Sequence, residues 1–161
     1  TVFETPDKQN AMFVAGQTFQ LSDSDPDYAA MVIGAQIMGG GFLKSRMADR
    51  MRQKDGVSYA VGSQFQARPV DKEAFAITFA LYAPQNVDKV VTGFREELAK
   101  LLADGVTQEE LEQARQGWLR EQQQSFANDN EVVGTLVSHR RWQRSFTSYE
   151  GRMADMVGKL T

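Results

Sequence analysis

Two stretches of period-two alternation, separated by a few polar residues, limit what this chain can fold into more than anything else in it. Val57, Tyr59, Val61, Ser63, Phe65 and Ala67 fall on one side of an extended segment, and Phe75, Ile77, Phe79 and Leu81 on one side of the next. A period of two belongs to a strand whose faces meet different surroundings. Only Arg68-Pro69-Val70-Asp71-Lys72 lies between them. A connection that short joins antiparallel neighbours and excludes a parallel crossover, so the chain contains a long hairpin. Residues 12–21 alternate too, with Phe13, Ala15, Gln17 and Phe19 against Met12, Val14, Gly16 and Thr18, and read as a further strand.

Helical periodicity fills the rest. Asp25-Pro26 reads as a helix start, Asp25 accepting from free N–H groups and Pro26 occupying the first helical position. The helix that follows, 27–38, is apolar on most sides, as in a helix packed on more than one face. Gly39-Gly40-Gly41 then ends it, with the glycines expected at φ > 0. A short basic helix is expected over 44–54. Val87, Val90, Val91, Phe94, Leu98, Leu101 and Leu102 mark the clearest amphipathic helix, closed by Asp104-Gly105. Thr107-Gln108-Glu109-Glu110 fits a capping box opening another helix through Trp118 towards Phe126. Asn128-Asp129-Asn130-Glu131 reads as a cap, and helices near 131–142 and 148–160 finish the chain. This order predicts an α+β fold, a mostly antiparallel sheet with helices packed on one face, and a single domain over 1–161.

Composition removes several functions. The 161 residues carry 18 Lys and Arg against 21 Asp and Glu, a net charge of −3, which leaves no basic excess for nucleic acid. No apolar run approaches the ~18 residues of a membrane span. The N-terminus, Thr1-Val2-Phe3-Glu4-Thr5-Pro6, lacks an initiating Met and a signal-peptide pattern, and reads as a piece of a longer polypeptide. Without cysteine there are no disulfides and no thiolate metal ligands, which is compatible with an oxidising compartment. A periplasmic or other extracytoplasmic location is the favoured expectation. A catalytic zinc needs three protein ligands and an open position, yet His139 is the chain's one histidine. It reads as a structural or solvated residue. Glu109, Glu110 and Glu112 fall in the first turns of a helix, where carboxylates are favoured without any acid–base role. Gly39-Gly40-Gly41 lacks the spacing of a phosphate loop.

Four motifs stand in order: Asp25-Pro26-Asp27-Tyr28 before a helix and Gly39-Gly40-Gly41; Ser45-Arg46-Met47; Arg52-Gln53-Lys54-Asp55-Gly56-Val57-Ser58-Tyr59; and Gly105-Val106-Thr107-Gln108-Glu109-Glu110-Leu111. Each is common alone. Their order and separations resemble the non-catalytic C-terminal half of M16 (pitrilysin/insulinase-type) zinc metallopeptidases, over about residues 12–160. The resemblance implies two related α+β halves around a closed chamber. One half carries an inverted zinc motif, H-x-x-E-H, and the half resembled here supplies an arginine and a tyrosine to substrate. By type and spacing these are Arg52 and Tyr59.

The expectations follow. The chain is a substrate-binding, chamber-forming domain assisting peptide hydrolysis by an H-x-x-E-H partner, in the same polypeptide or a separate subunit. It has no cofactor of its own and is inactive alone, the zinc residing in the partner. A guanidinium offers a fork of donors for carbonyls or carboxylates, and a phenol one directional hydrogen bond, which suits a peptide or a tetrahedral oxyanion. Two rivals stand beside it: a structural or assembly subunit with no part in proteolysis, and a stand-alone binding module. The basic run Lys44, Arg46, Arg50, Arg52 and Lys54 attracts acidic substrate or forms a solvated face, and Arg46 is a candidate for holding carbonyls after the glycines. Trp118 and Trp142 are expected in a core or interface. Because family members continue past the last helix, Met153, Met156 and Leu160 are expected to leave exposed apolar surface.

Overall fold

The computed structural model describes residues 9–40 and 44–161. Thr1 to Pro6 and the last glycine of the expected helix stop, Gly41, lie outside the described residues. Strands β1 (Ala11–Phe19), β2 (Ser58–Ala67) and β3 (Ala74–Tyr82) form a three-stranded antiparallel sheet in the order β1-β3-β2. The hairpin therefore holds, with β3 central. Pairing runs Met12 to Leu81 and Val14 to Phe79 on one side, and Gly62 to Phe79 and Gln64 to Ile77 on the other.

Alternation in β3 separates large residues from small ones, and the helices cover the small side. Ala74, Thr78, Ala80 and Tyr82 are buried beneath them. Register places Phe13, Phe19, Val61 and Phe65 on that same side, where Phe13 meets Phe94 at 5.1 Å and Phe19 meets Phe65 at 5.6 Å. Small side chains let a helix approach a sheet closely while the flanking strands supply the aromatic bulk. Phe75, Ile77, Phe79 and Leu81 share the opposite, uncovered face with Met12 and Val14.

Helix α1 (Tyr28–Ala35) continues as a π-helical turn, Gln36–Gly40. It packs between the sheet and an outer layer of α4 (Gln108–Ser125) and α6 (Phe146–Gly158). Ala29, Ile33 and Ile37 form a core with Leu111, Trp118, Met153 and Val157, which explains why this helix is apolar on most sides. A second core lies under α3 (Val87–Asp104), where Met38, Met47, Met51, Val57 and Val90 meet Ala80 and Tyr82. Helix α5 (Asp129–Arg141) lies outermost and buries only His139.

Four expectations need correction. Gly39 and Gly40 do not end the helix at φ > 0; among described glycines only Gly56 and Gly105 have positive φ. Their use is close approach, since a Cβ on Gly39 would stand 2.9 Å from Ser63 Cβ and one on Gly40 3.1 Å from the Ser63 carbonyl oxygen. Asp25 does not cap α1. Its carboxylate accepts from Ser22 N and Ser22 Oγ, each at 2.7 Å, closing its own turn. Those Ser22 hydrogen bonds hold the Asp25 carboxyl below its ordinary range. Met153 is buried, and Met156 and Leu160 are partly buried against the first core, so these three side chains do not form an exposed apolar patch. Tyr59 does not follow the alternation of Val61 to Ala67, because the register shifts between Ser58 and Ala60.

One polar clamp joins distant parts. Arg144 donates to both carboxylate oxygens of the buried Asp23, at 2.5 and 2.7 Å, and to the Pro69 carbonyl at 2.6 Å. It fastens the loop between α5 and α6 to the start of α1 and to the hairpin turn.

Candidate functional site

The corner holding Arg52 and Tyr59 begins at Ser45, an extended residue (φ −155°) whose Oγ accepts from Ala48 N at 3.3 Å. Helix α2 (Arg46–Ala48) runs straight into a second π-helical segment, Asp49–Lys54. Met47, Ala48 and Met51 anchor it in the core. Arg52 stands in its last turn and is half-buried. Gly56, at φ 61°, then reverses the chain in a conformation that L side chains resist. Val57 is buried, its N–H donating to the Met51 carbonyl at 2.9 Å.

At the head of β2 the ladder carries an extra residue. Ser58 pairs with Tyr82 and Ala60 with Leu81, so Tyr59 is the residue left over. Such a bulge bends an edge strand and re-aims a side chain. Ser58 Oγ fixes it by donating to the Leu81 carbonyl at 2.7 Å and the Ala60 carbonyl at 2.9 Å. The Tyr59 side chain is left exposed at 56%. The two sequence-predicted residues thus flank one glycine corner, with the phenol out of the interior. Nothing in the alternation of β2 signals the bulge, so the strand pattern alone misplaced Tyr59.

Two neighbouring cations join the corner to other elements. Arg50 donates to Glu96 at 2.8 Å and lies 3.2 Å from Asp55. Arg46 donates through Nε and Nη2 to the two oxygens of Glu110, at 2.7 and 2.8 Å, and through Nη2 to the Gly105 carbonyl at 2.8 Å. It holds the turn before α4; the turn after the glycines, expected as its partner, lies outside the described residues. Glu110 meanwhile accepts from Thr107 N at 2.8 Å in the expected capping box. Arg46 first, then the Thr107 hydrogen bonds, lower the Glu110 carboxyl to about 2 against the opposing effect of burial. Two motifs separate in sequence are therefore one structural unit, which no local pattern could reveal.

Among the described residues no group of three or more His, Asp or Glu is placed to hold an ion. His139 is buried, with Nε2 3.5 Å from Glu150 and its ring against Phe146 and Tyr149. Glu109 accepts from Gln113, and Glu112 from Arg115 and Gln116. Among the described residues no donor set fits a zinc ion. Nor, among the described residues, is any helix long and apolar enough to cross a membrane.

With this geometry stated, the comparisons are decisive. The family profile of the peptidase M16 inactive domain matches residues 1–117. This chain belongs to that family. An uncharacterized zinc protease of Rickettsia bellii is 34% identical over 103 residues, covering 62% of this chain and 24% of the relative. The peptidase M16 inactive domain from Pseudomonas fluorescens superposes with a TM-score of 0.78 at 25% identity, over 98% of this chain and 36% of that one. A protease from Helicobacter pylori shares the fold, with a TM-score of 0.81 at 14% identity, over 98% and 37% respectively. The chain thus spans about a quarter of the curated relative and about a third of these two solved chains. Within the M16 inactive domain, the Arg46–Glu110 lock gives the S-R-M and G-V-T-Q-E-E-L motifs a structural reason to occur together.

Proposed function

We propose that this domain forms a non-catalytic wall of an M16-type zinc peptidase chamber and positions peptide for hydrolysis by an H-x-x-E-H partner domain. The supporting observation is the uncovered sheet face. Met12, Val14 and Phe75 are 58%, 52% and 41% exposed there, beside Ile77, Phe79 and Leu81, and no charged residue occurs in any of the three strands. A contiguous apolar face with no helix over it among the described residues marks an interaction surface. An uncharged, gently apolar wall suits an extended peptide whose side chains vary.

Tyr59, beside the start of that face, donates one hydrogen bond to a peptide carbonyl or to an oxyanion. Arg52, across the glycine corner, carries a planar guanidinium with five N–H donors. Zinc, bound by the partner, supplies the activated water. The residues of this chain bind and orient, and together with the opposite wall exclude solvent.

The test is peptide hydrolysis by this chain mixed with, or fused to, its H-x-x-E-H partner. The chain alone, with zinc added, hydrolyses nothing. In the mixture Arg52→Ala and Tyr59→Phe each lower kcat/KM by roughly tenfold, the loss of one hydrogen bond made in the transition state. Unchanged rates from both would remove the substrate-contact role and favour a purely structural subunit.

A further inference from the structure

Helix α5 carries a second unpartnered surface, on the side of the molecule away from the sheet. Val132, Thr135 and His139 turn inward, while Asp129, Val133, Leu136, Val137 and Arg140 share the outward face. Val133, Leu136 and Val137 are 58%, 46% and 63% exposed. Charge is segregated along the same stripe. Asp129 and Glu131 stand in the first turn, and Arg140 and Arg141 in the last. Complementing the helix dipole explains the charges at each end. It does not explain an apolar stripe facing solvent between them.

The arrangement is self-complementary. Asp129 and Arg140 lie equally far on either side of a midpoint between Gly134 and Thr135, and so do Val133 and Leu136. Turned about a two-fold axis through that midpoint, a second α5 sets Asp129 against Arg140 of its twin at both ends. It also sets Val133 against Leu136 of its twin between them. We propose that the outward face of α5 binds a second copy of this chain as an antiparallel, isologous helix pair. Trp142, exposed just beyond the helix and stacked on Arg141 at 5.4 Å, extends the patch on each side. The proposal is independent of how the sheet face is used. One helix face is at the small end of specific interfaces, so the pairing is weak and reversible.

The experiment is sedimentation equilibrium on the folded chain and three variants, from micromolar to millimolar concentration. Wild type shows a reversible monomer–dimer equilibrium. Asp129→Arg and Arg140→Asp, each placing like charges in contact twice over, weaken it about tenfold or more. Their equimolar mixture recovers a heterodimer at least as tight as wild type, because both end contacts are then opposite in charge. Leu136→Ala weakens association without changing the fold by circular dichroism. A wild-type chain that stays monomeric to 1 mM (roughly the weak limit of specific pairing) overturns the proposal. So does a dimer indifferent to the charge reversals, or single variants that fail to rescue one another when mixed.

Discussion

The most consequential single contacts lie away from the open sheet face. Glu110 serves three masters, Arg46, the capping box and the start of α4, and both partners of the ion pair are largely shielded, with side chains 14% and 29% exposed. Allowing for solvent screening, Glu110→Ala costs about 2 kcal/mol. Because its folded carboxyl is lowered from 4.5 to about 2, the stabilisation is complete above the ordinary value and is lost as pH falls towards the lowered one. Urea unfolding from pH 6 to pH 2 checks this: the gap between wild type and Glu110→Gln narrows as the medium acidifies. A constant gap would mean that the carboxylate charge is not what holds the turn. Asp23→Ala is more severe. It leaves the Arg144 guanidinium without its bidentate partner in a half-buried place, costing about 3 kcal/mol, measurable as a lowered urea midpoint. These side chains were individually readable as cap or loop residues. Their pairing across more than sixty positions was not, because local patterning carries no information about which turns meet.

Elements differ in how much their sequence disclosed. Period-two alternation identified all three strands and, Tyr59 excepted, both faces of each, yet could not say which face the helices would take. The large residues of β3 look like the core, but the helices lie over its alanines, since close approach gains more contact than bulk does. Likewise Gly39 and Gly40 looked like a stop signal and turned out to be places where a π-helical turn rests on β2. Alanine at Gly39 meets the Ser63 Cβ and two backbone atoms at 3.1 Å or less, an overpacking that costs about 1–3 kcal/mol. Thermal unfolding of Gly39→Ala against Gly117→Ala, which meets nothing within 4 Å, separates packing from backbone freedom. The first is destabilised and the second is neutral or stabilised. Hydrogen exchange at low concentration gives the ranking of elements. Central β3, paired on both edges, exchanges last, and α5, held by one buried side chain, exchanges first.

At the scale of the whole molecule, the chain is a two-sided object. One side of the sheet is sealed by two apolar cores and a polar clamp; the other is apolar, uncharged and open. Family membership was legible from four motifs in order, since turn glycines, caps and the Arg–Glu lock demand particular residue types. The use of the open sheet face was not, because an apolar strand face reads the same whether it meets a helix, a partner domain or a peptide. Methionine methyl groups offer the most direct measurement, since Met12 stands on the open face while Met47, Met51 and Met153 lie in the cores. Titrating the isotopically labelled chain with an unstructured apolar peptide, the account predicts a saturable shift of the Met12 resonance with the three core methyls unmoved. A Met12 signal that stays fixed while peptide binds elsewhere, or fails to bind at millimolar concentration, would contradict it.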